Sequence, residues 1–227
     1  MSTISMANTK GIKMQRLVKK LINLLGEPYS SSLGIDLEGK KESEIFKWFL
    51  ASLLFGKRIG ESIAADTYKL FASKDIINPD EILATGWDGL VAVLDEGGYV
   101  RYDFSTASRL LELMECLKRN YGTLTNLYEQ AKDSKDLEAK LQEFKGIGPI
   151  TVNIFLREMR TVWPKANPEP SSLVKIAAKN LGIDLSNFKR QTKEFIKLEC
   201  ALLRLGKNYC RKKRCDDCDF MVECRKV

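Results

Sequence analysis

The chain has 227 residues, 44% apolar and 30% charged, which is the balance of an ordinary globular protein with a sizeable core; no apolar run approaches the length of a membrane span. Its 37 Lys and Arg outnumber 30 Asp and Glu, and the resulting charge of +7 suits a polyanionic partner such as nucleic acid. With no histidine, imidazole is excluded as a base, a nucleophile's partner or a metal ligand, so chemistry falls to carboxylates, Lys, Tyr, Cys or a bound cofactor.

The apolar pattern is helical nearly throughout, and the fold class expected is all-α. Met14, Leu17, Leu21, Leu24 and Leu25 recur at helical spacing and predict a helix over about residues 10–26. Pro28 and the run Ser30–Gly34 then mark a loop. Glu44–Gly56 is apolar on most of its circumference, as a helix central to a bundle is. Further helices are expected around Ile63–Phe71, after Pro79, from Trp87 to Gly97–Gly98, over Ser105–Tyr121, Leu137–Phe144, Pro149–Arg160, Ser172–Leu181 and Lys189–Gly206. The Pro-rich stretch Trp163–Pro170 reads as a linker. Met1–Lys10 lacks the apolar core of a signal peptide, so a cytoplasmic location is expected.

Cys210, Cys215, Cys218 and Cys224 are separated by four, two and five residues near the end of the chain. Four thiolates so clustered in a cytosolic setting argue for metal rather than disulfides. The set suits a four-iron cluster or an all-thiolate zinc site, and the unequal gaps with a single Cys-x2-Cys knuckle favour the cluster. Cys116 and Cys200 fall inside helical patterns and read as core residues. Arg211, Lys212, Lys213 and Arg214 lie between the first two ligands, where a metal-braced loop offers them to phosphate.

A second motif joins two helices through Lys145–Gly146–Ile147–Gly148, with Pro149 opening the second. Two glycines around one apolar residue permit a tight turn: Ile147 tucks between the helices while free N–H groups at the second helix's start face a phosphate. Thr151 strengthens that reading, and Gly146, Ile147, Gly148 and Thr151 are the expected phosphate-site residues.

Together these segments resemble the helix–hairpin–helix DNA glycosylase superfamily, in particular its endonuclease III-like branch with a C-terminal iron–sulfur cluster. The resemblance runs from about Ser43 to Val227 and rests most on FKGIGPITVNIFL and on LGKNYC–RKKRCDDC–C. The gap between the first two cysteines is shorter here than is usual in the family. The resemblance implies a two-domain all-α fold: a six-helix domain at 43–152 ending in the helix–hairpin–helix, and a second domain from 1–42 plus 153–227 carrying the [4Fe-4S] cluster. It implies a base-excision-repair protein, acting as a monomer on damaged or mismatched double-stranded DNA, with the target base flipped out of the duplex.

Residue by residue, the carry-over is incomplete. The position of the family's lyase lysine is Ile150, so Schiff-base strand cleavage there is not expected and a monofunctional N-glycosylase is. The segment where the family's catalytic aspartate is expected reads WPKANPEPSS, whose sole carboxylate is Glu169. Glu169 is therefore the candidate catalyst, and a non-catalytic binder of distorted duplex is the alternative. Ser171 and Ser172 read as helix caps. Lys57 and Arg58 occupy the place from which the family inserts a polar side chain into the gap left by the flipped base. Tyr99, Arg101 and Tyr102 stand where members line the pocket or grip the opposite strand.

Overall fold

The computed structural model describes residues 3–225, with side chains from residue 12 onward. Met1, Ser2, Lys226 and Val227, at the two ends of the segments considered above, lie outside the described residues. Among the described residues there are eleven α-helices and no strand, so the chain is all-α. No helix among them is long and apolar enough to cross a membrane.

The chain divides into two compact units, residues 30–168 and residues 1–29 with 169–227. Residues 30–42 and 153–168 thus associate with the unit that carries the Gly-Ile-Gly turn.

In the 30–168 unit, α3 (Glu42–Phe55) is the central element, flanked by α4 (Glu61–Ser73), α7 (Leu124–Gln130) and α9 (Pro149–Glu158). Its nine buried residues, Ile45, Phe46 and Trp48–Leu54, leave little of its circumference wet, as the near-continuous apolar pattern dictates. The Trp48 indole donates to the Phe155 carbonyl at 3.0 Å, which satisfies a buried N–H and fixes α3 against α9. Glu42 reaches across to accept from the backbone N–H groups of Leu124 and Thr125, capping α7 from another helix.

Helix α5 (Pro79–Glu96) is two helices in one: Gly86, at φ 66° and ψ 178°, breaks it where separate helices after Pro79 and from Trp87 were expected. It packs on α6 (Asp103–Asn120). Helix α8 (Ser134–Gln142) opens at Asp133, whose carboxylate accepts from Asp136 N–H. The Pro-rich stretch is not a free linker. Arg160 is buried and donates to Asn167 Oδ1 and to the Pro168 carbonyl, both at 2.7 Å. Lys165 donates to the Tyr128 and Ala131 carbonyls at the end of α7.

In the other unit, α1 (Thr3–Leu25), α10 (Ser172–Leu181) and α11 (Lys193–Leu205) bury Leu21, Val174, Ala177, Leu198, Leu202 and Phe220 in one core. Helix α10 shows its signals plainly: Ser171 caps the start and Gly182, at φ 65°, ends it. Gly206 closes α11 against α10, where a methyl group would collide with the Leu173 carbonyl. A short helix, α2 (Tyr29–Ser32), stands where a loop was expected; in the 30–168 unit, Glu158 accepts from the Ser30 N–H at 2.9 Å.

Candidate nucleic-acid interface and candidate metal centre

The Lys145–Gly148 turn joins α8 to α9 as the Gly-Ile-Gly spacing predicts. Gly146 adopts φ 87°, a region that L side chains rarely enter, so the turn requires glycine there. Ile147 is buried between the helices and its N–H bonds back to the Phe144 carbonyl at 3.0 Å. Gly148 is the N-cap of α9, with no side-chain cap, and Pro149 follows at the first turn. A Cβ built at Gly148 meets no atom within 4 Å, so the turn is open at the N-cap, and the first N–H groups of α9 have no side-chain cap.

Thr151 faces the opposite way. It is buried, and its hydroxyl stands where a side chain at Gly56 would fall, so Thr151 and Gly56 together let α9 approach the end of α3. The threonine spacing that reads as part of a phosphate motif serves helix packing on this side. Ile150, by contrast, is 69% exposed at the start of α9, an apolar residue presented to solvent.

Lys57 and Arg58 follow α3 directly, Lys57 half-buried and Arg58 exposed. Lys57 lines a small cleft, open to solvent, with Thr106 and Arg109 of α6 and with Lys145, Gly146 and Ile147 of the turn. Leu53, Leu110 and Leu113 form its apolar wall. Burial and the neighbouring Arg109 guanidinium hold the Lys57 ammonium below the usual lysine range. Sequence reasoning missed Arg109 and Thr106. The available signal was Thr106 itself, a polar residue on the buried stripe that continues through Leu110, Leu113 and Leu117.

Tyr99 is fully buried, and its hydroxyl donates to the Leu54 carbonyl at 2.5 Å. Burial, with Tyr102 nearby, pushes its phenol well above the usual range. It is a core residue, and Tyr102 packs edge-on against it with ring centroids 6.3 Å apart.

Glu169 belongs to the other unit. Its side chain is 68% exposed and meets Arg190 at 2.5 Å and Lys175 at 3.4 Å. The hydrogen bond from Arg190, followed by the charges of both cations, holds its carboxyl below the usual glutamate range.

The four cysteines occupy one irregular loop after α11. A π-type turn over Gly206–Cys210 carries Cys210 out of the helix. Successive turns follow, with N–H groups of Cys218, Met221 and Cys224 bonding to the carbonyls of Cys215, Cys218 and Met221. The loop is anchored at three points. Phe220 is buried in the core, Lys20 donates to the Asp219 carbonyl at 2.8 Å, and Arg225 N–H donates to the Asn180 carbonyl at 2.7 Å. All four thiols are free of disulfides, as are Cys116 and the buried Cys200. Burial raises the Cys210 thiol against an opposing hydrogen bond with Asn180, and Cys218, Cys224 and Cys215 each raise it a little further, so the other three sulfurs lie within electrostatic reach of Cys210. Ionising such a set without a cation is opposed by mutual repulsion, and a bound metal removes that opposition. Four thiolates are the donor type a thiophilic centre takes, and among the described residues no group of three or more His, Cys, Asp or Glu stands close enough together to hold a metal ion. Arg211, Lys212, Lys213 and Arg214 are all exposed on this loop, and Arg214 pairs with Asp217 at 2.7 Å.

No family model matches this chain, and no curated protein sequence matches it.

Proposed function

We propose that this chain is a base-excision-repair protein that binds damaged double-stranded DNA through the α8–α9 turn and hydrolyses an N-glycosidic bond as a monofunctional glycosylase of the helix–hairpin–helix class. The observation that carries the reading is the turn itself: Gly146 at φ 87° and an uncapped, unobstructed Gly148 leave the start of α9 accessible to a phosphate oxygen. Lys57 and Arg58 stand at the end of α3 in the same unit, and Arg211–Arg214 supply further positive charge from the other.

Cys210, Cys215, Cys218 and Cys224 would hold a [4Fe-4S] cluster, or zinc in its place, and the bound metal would cross-link the loop that carries Arg211–Arg214. In the hydrolytic step Glu169 acts as a carboxylate facing the positive charge that develops on the sugar. Arg190 and Lys175 keep it ionised, which that role requires, while drawing on the same charge. Ile150 has no amine, so no Schiff base forms at that position.

That pairing favours a second reading, in which the protein recognises distorted duplex without cleaving it. Metal-loaded protein incubated with duplexes carrying a panel of damaged and mismatched bases separates the two. Release of free base that is lost in Glu169→Gln supports the enzyme. Lesion-dependent binding with no released base supports the binder. No preference over intact duplex overturns both.

A further inference from the structure

Lys57 and Arg109 line the same cleft beside the turn, within electrostatic reach of each other, and no ion pair to a carboxylate is seen for either among the described residues. Two like charges do not stay together in a partly desolvated place without cost, and the carboxylate at the rim, Glu112, pairs with Lys145 instead. Thr106, on the same cleft, is only 3% exposed, and its hydroxyl has no hydrogen-bond partner. A helical threonine ordinarily satisfies itself on the preceding turn, so a buried hydroxyl left open is unusual. Lys145 stands at the rim, where Glu112 holds it at 2.9 Å. Leu53, Leu110, Leu113 and Ile147 give the cleft an apolar wall, which lowers the local dielectric and strengthens a charge interaction formed against it.

We propose that this cleft is an oxyanion seat for a phosphoryl group, with the Lys57 ammonium and the Arg109 guanidinium as its charged donors and the Thr106 hydroxyl as its third. A phosphoryl oxygen accepts from all three donor types, and Arg offers it a planar fork. The Arg109 stem also lies against Gly146: a Cβ there would stand 2.7 Å from Arg109 Cδ. The missing side chain at Gly146 therefore serves the turn and the seat together. The seat does not depend on the glycosylase reading, because it requires only a phosphoryl group.

Inorganic phosphate titrated into metal-loaded protein, followed by the NMR shifts of the Gly146 and Ile147 amides, tests it. The expected result is saturable binding that Arg109→Gln weakens by about tenfold or more, as loss of a charge-assisted donor does. Thr106→Val, which keeps the shape and removes the hydroxyl, is expected to weaken it by at least about threefold while leaving the fold intact. Phosphate affinity in both variants within twofold of the parent, or no saturable binding by the parent, overturns the proposal. Closed circular duplex, which has no ends, identifies the source. If Arg109→Gln weakens binding to it, the seat holds a backbone phosphodiester. If only inorganic phosphate and 5′-phosphorylated ends are lost, the seat holds a terminal phosphate. A parent that binds phosphate but no DNA leaves the seat standing and removes the function proposed above.

Discussion

The Arg109 side chain lies across the face of Gly146 so closely that a methyl group on the glycine would stand 2.7 Å from Arg109 Cδ and 3.2 Å from Nε. This contact joins α6 to the α8–α9 turn and makes one residue responsible for both a backbone conformation and the position of a cation.

Gly146→Ala therefore meets two penalties, a side chain at φ 87° and a collision with Arg109. It is expected to lower stability by about 1–3 kcal/mol in denaturant unfolding. Gly148→Ala is the counterpart. With φ −105° and open space around its Cβ, it should cost less than about 0.5 kcal/mol. Duplex binding should nevertheless fall, because a methyl group at the N-cap crowds the approach of a phosphate to the turn. Equal stability losses in the two variants would contradict this account of the turn.

Much of the fold is legible in the sequence because its signals are local. Ser171 and Gly182 bracket α10, Asp133 caps α8, and the apolar circumference of Glu44–Gly56 marks a central helix. Helix α7 escapes that reading because seven residues offer only Leu124 and Leu127 as a buried pair, with Thr123 as its cap. The candidate site divides in the same way. The Gly-Ile-Gly turn is a contiguous motif, whereas Lys57, Thr106 and Arg109 meet only once α3 and α6 have packed. Thr151 shows what spacing leaves open: its hydroxyl lies against Gly56, and one threonine at that spacing is compatible with either direction.

Tyr99→Phe separates core from pocket. Removing the hydroxyl that donates to the Leu54 carbonyl should cost about 1 kcal/mol of stability. Lesion binding and any base release should be unchanged, measured by anisotropy and chromatography. A selective loss of release at unchanged stability would return Tyr99 to the site.

For Glu169, the carboxyl is depressed by Arg190 and Lys175, so its contribution to stability is present above the ordinary glutamate range and is lost as pH falls through the lowered value. The group is largely exposed, and the contribution is at most about 1 kcal/mol. Glu169→Gln should thus be slightly less stable than the parent at neutral pH and equal to it in acid, by thermal unfolding across pH. A difference that grows on acidification would have the wrong sign.

The metal is tested by colour and analysis. Protein purified without oxygen should be brown, with about four iron atoms per chain and visible absorption that Cys210→Ser and Cys218→Ser abolish. Cys116→Ser should keep both, since Cys116 lies on α6 in the other unit. Colourless protein with about one zinc per chain would replace the cluster with a zinc site.

The central claim, that the α8–α9 turn and its neighbouring cations engage duplex DNA, is tested most directly by fluorescence anisotropy of metal-loaded protein on a lesion-bearing duplex over a range of salt. The account predicts saturable binding whose logarithm falls linearly with log salt, at a slope of about −3 or steeper, with affinity reduced in Gly148→Ala. Absence of saturable binding, or an affinity indifferent to both salt and Gly148→Ala, would contradict it.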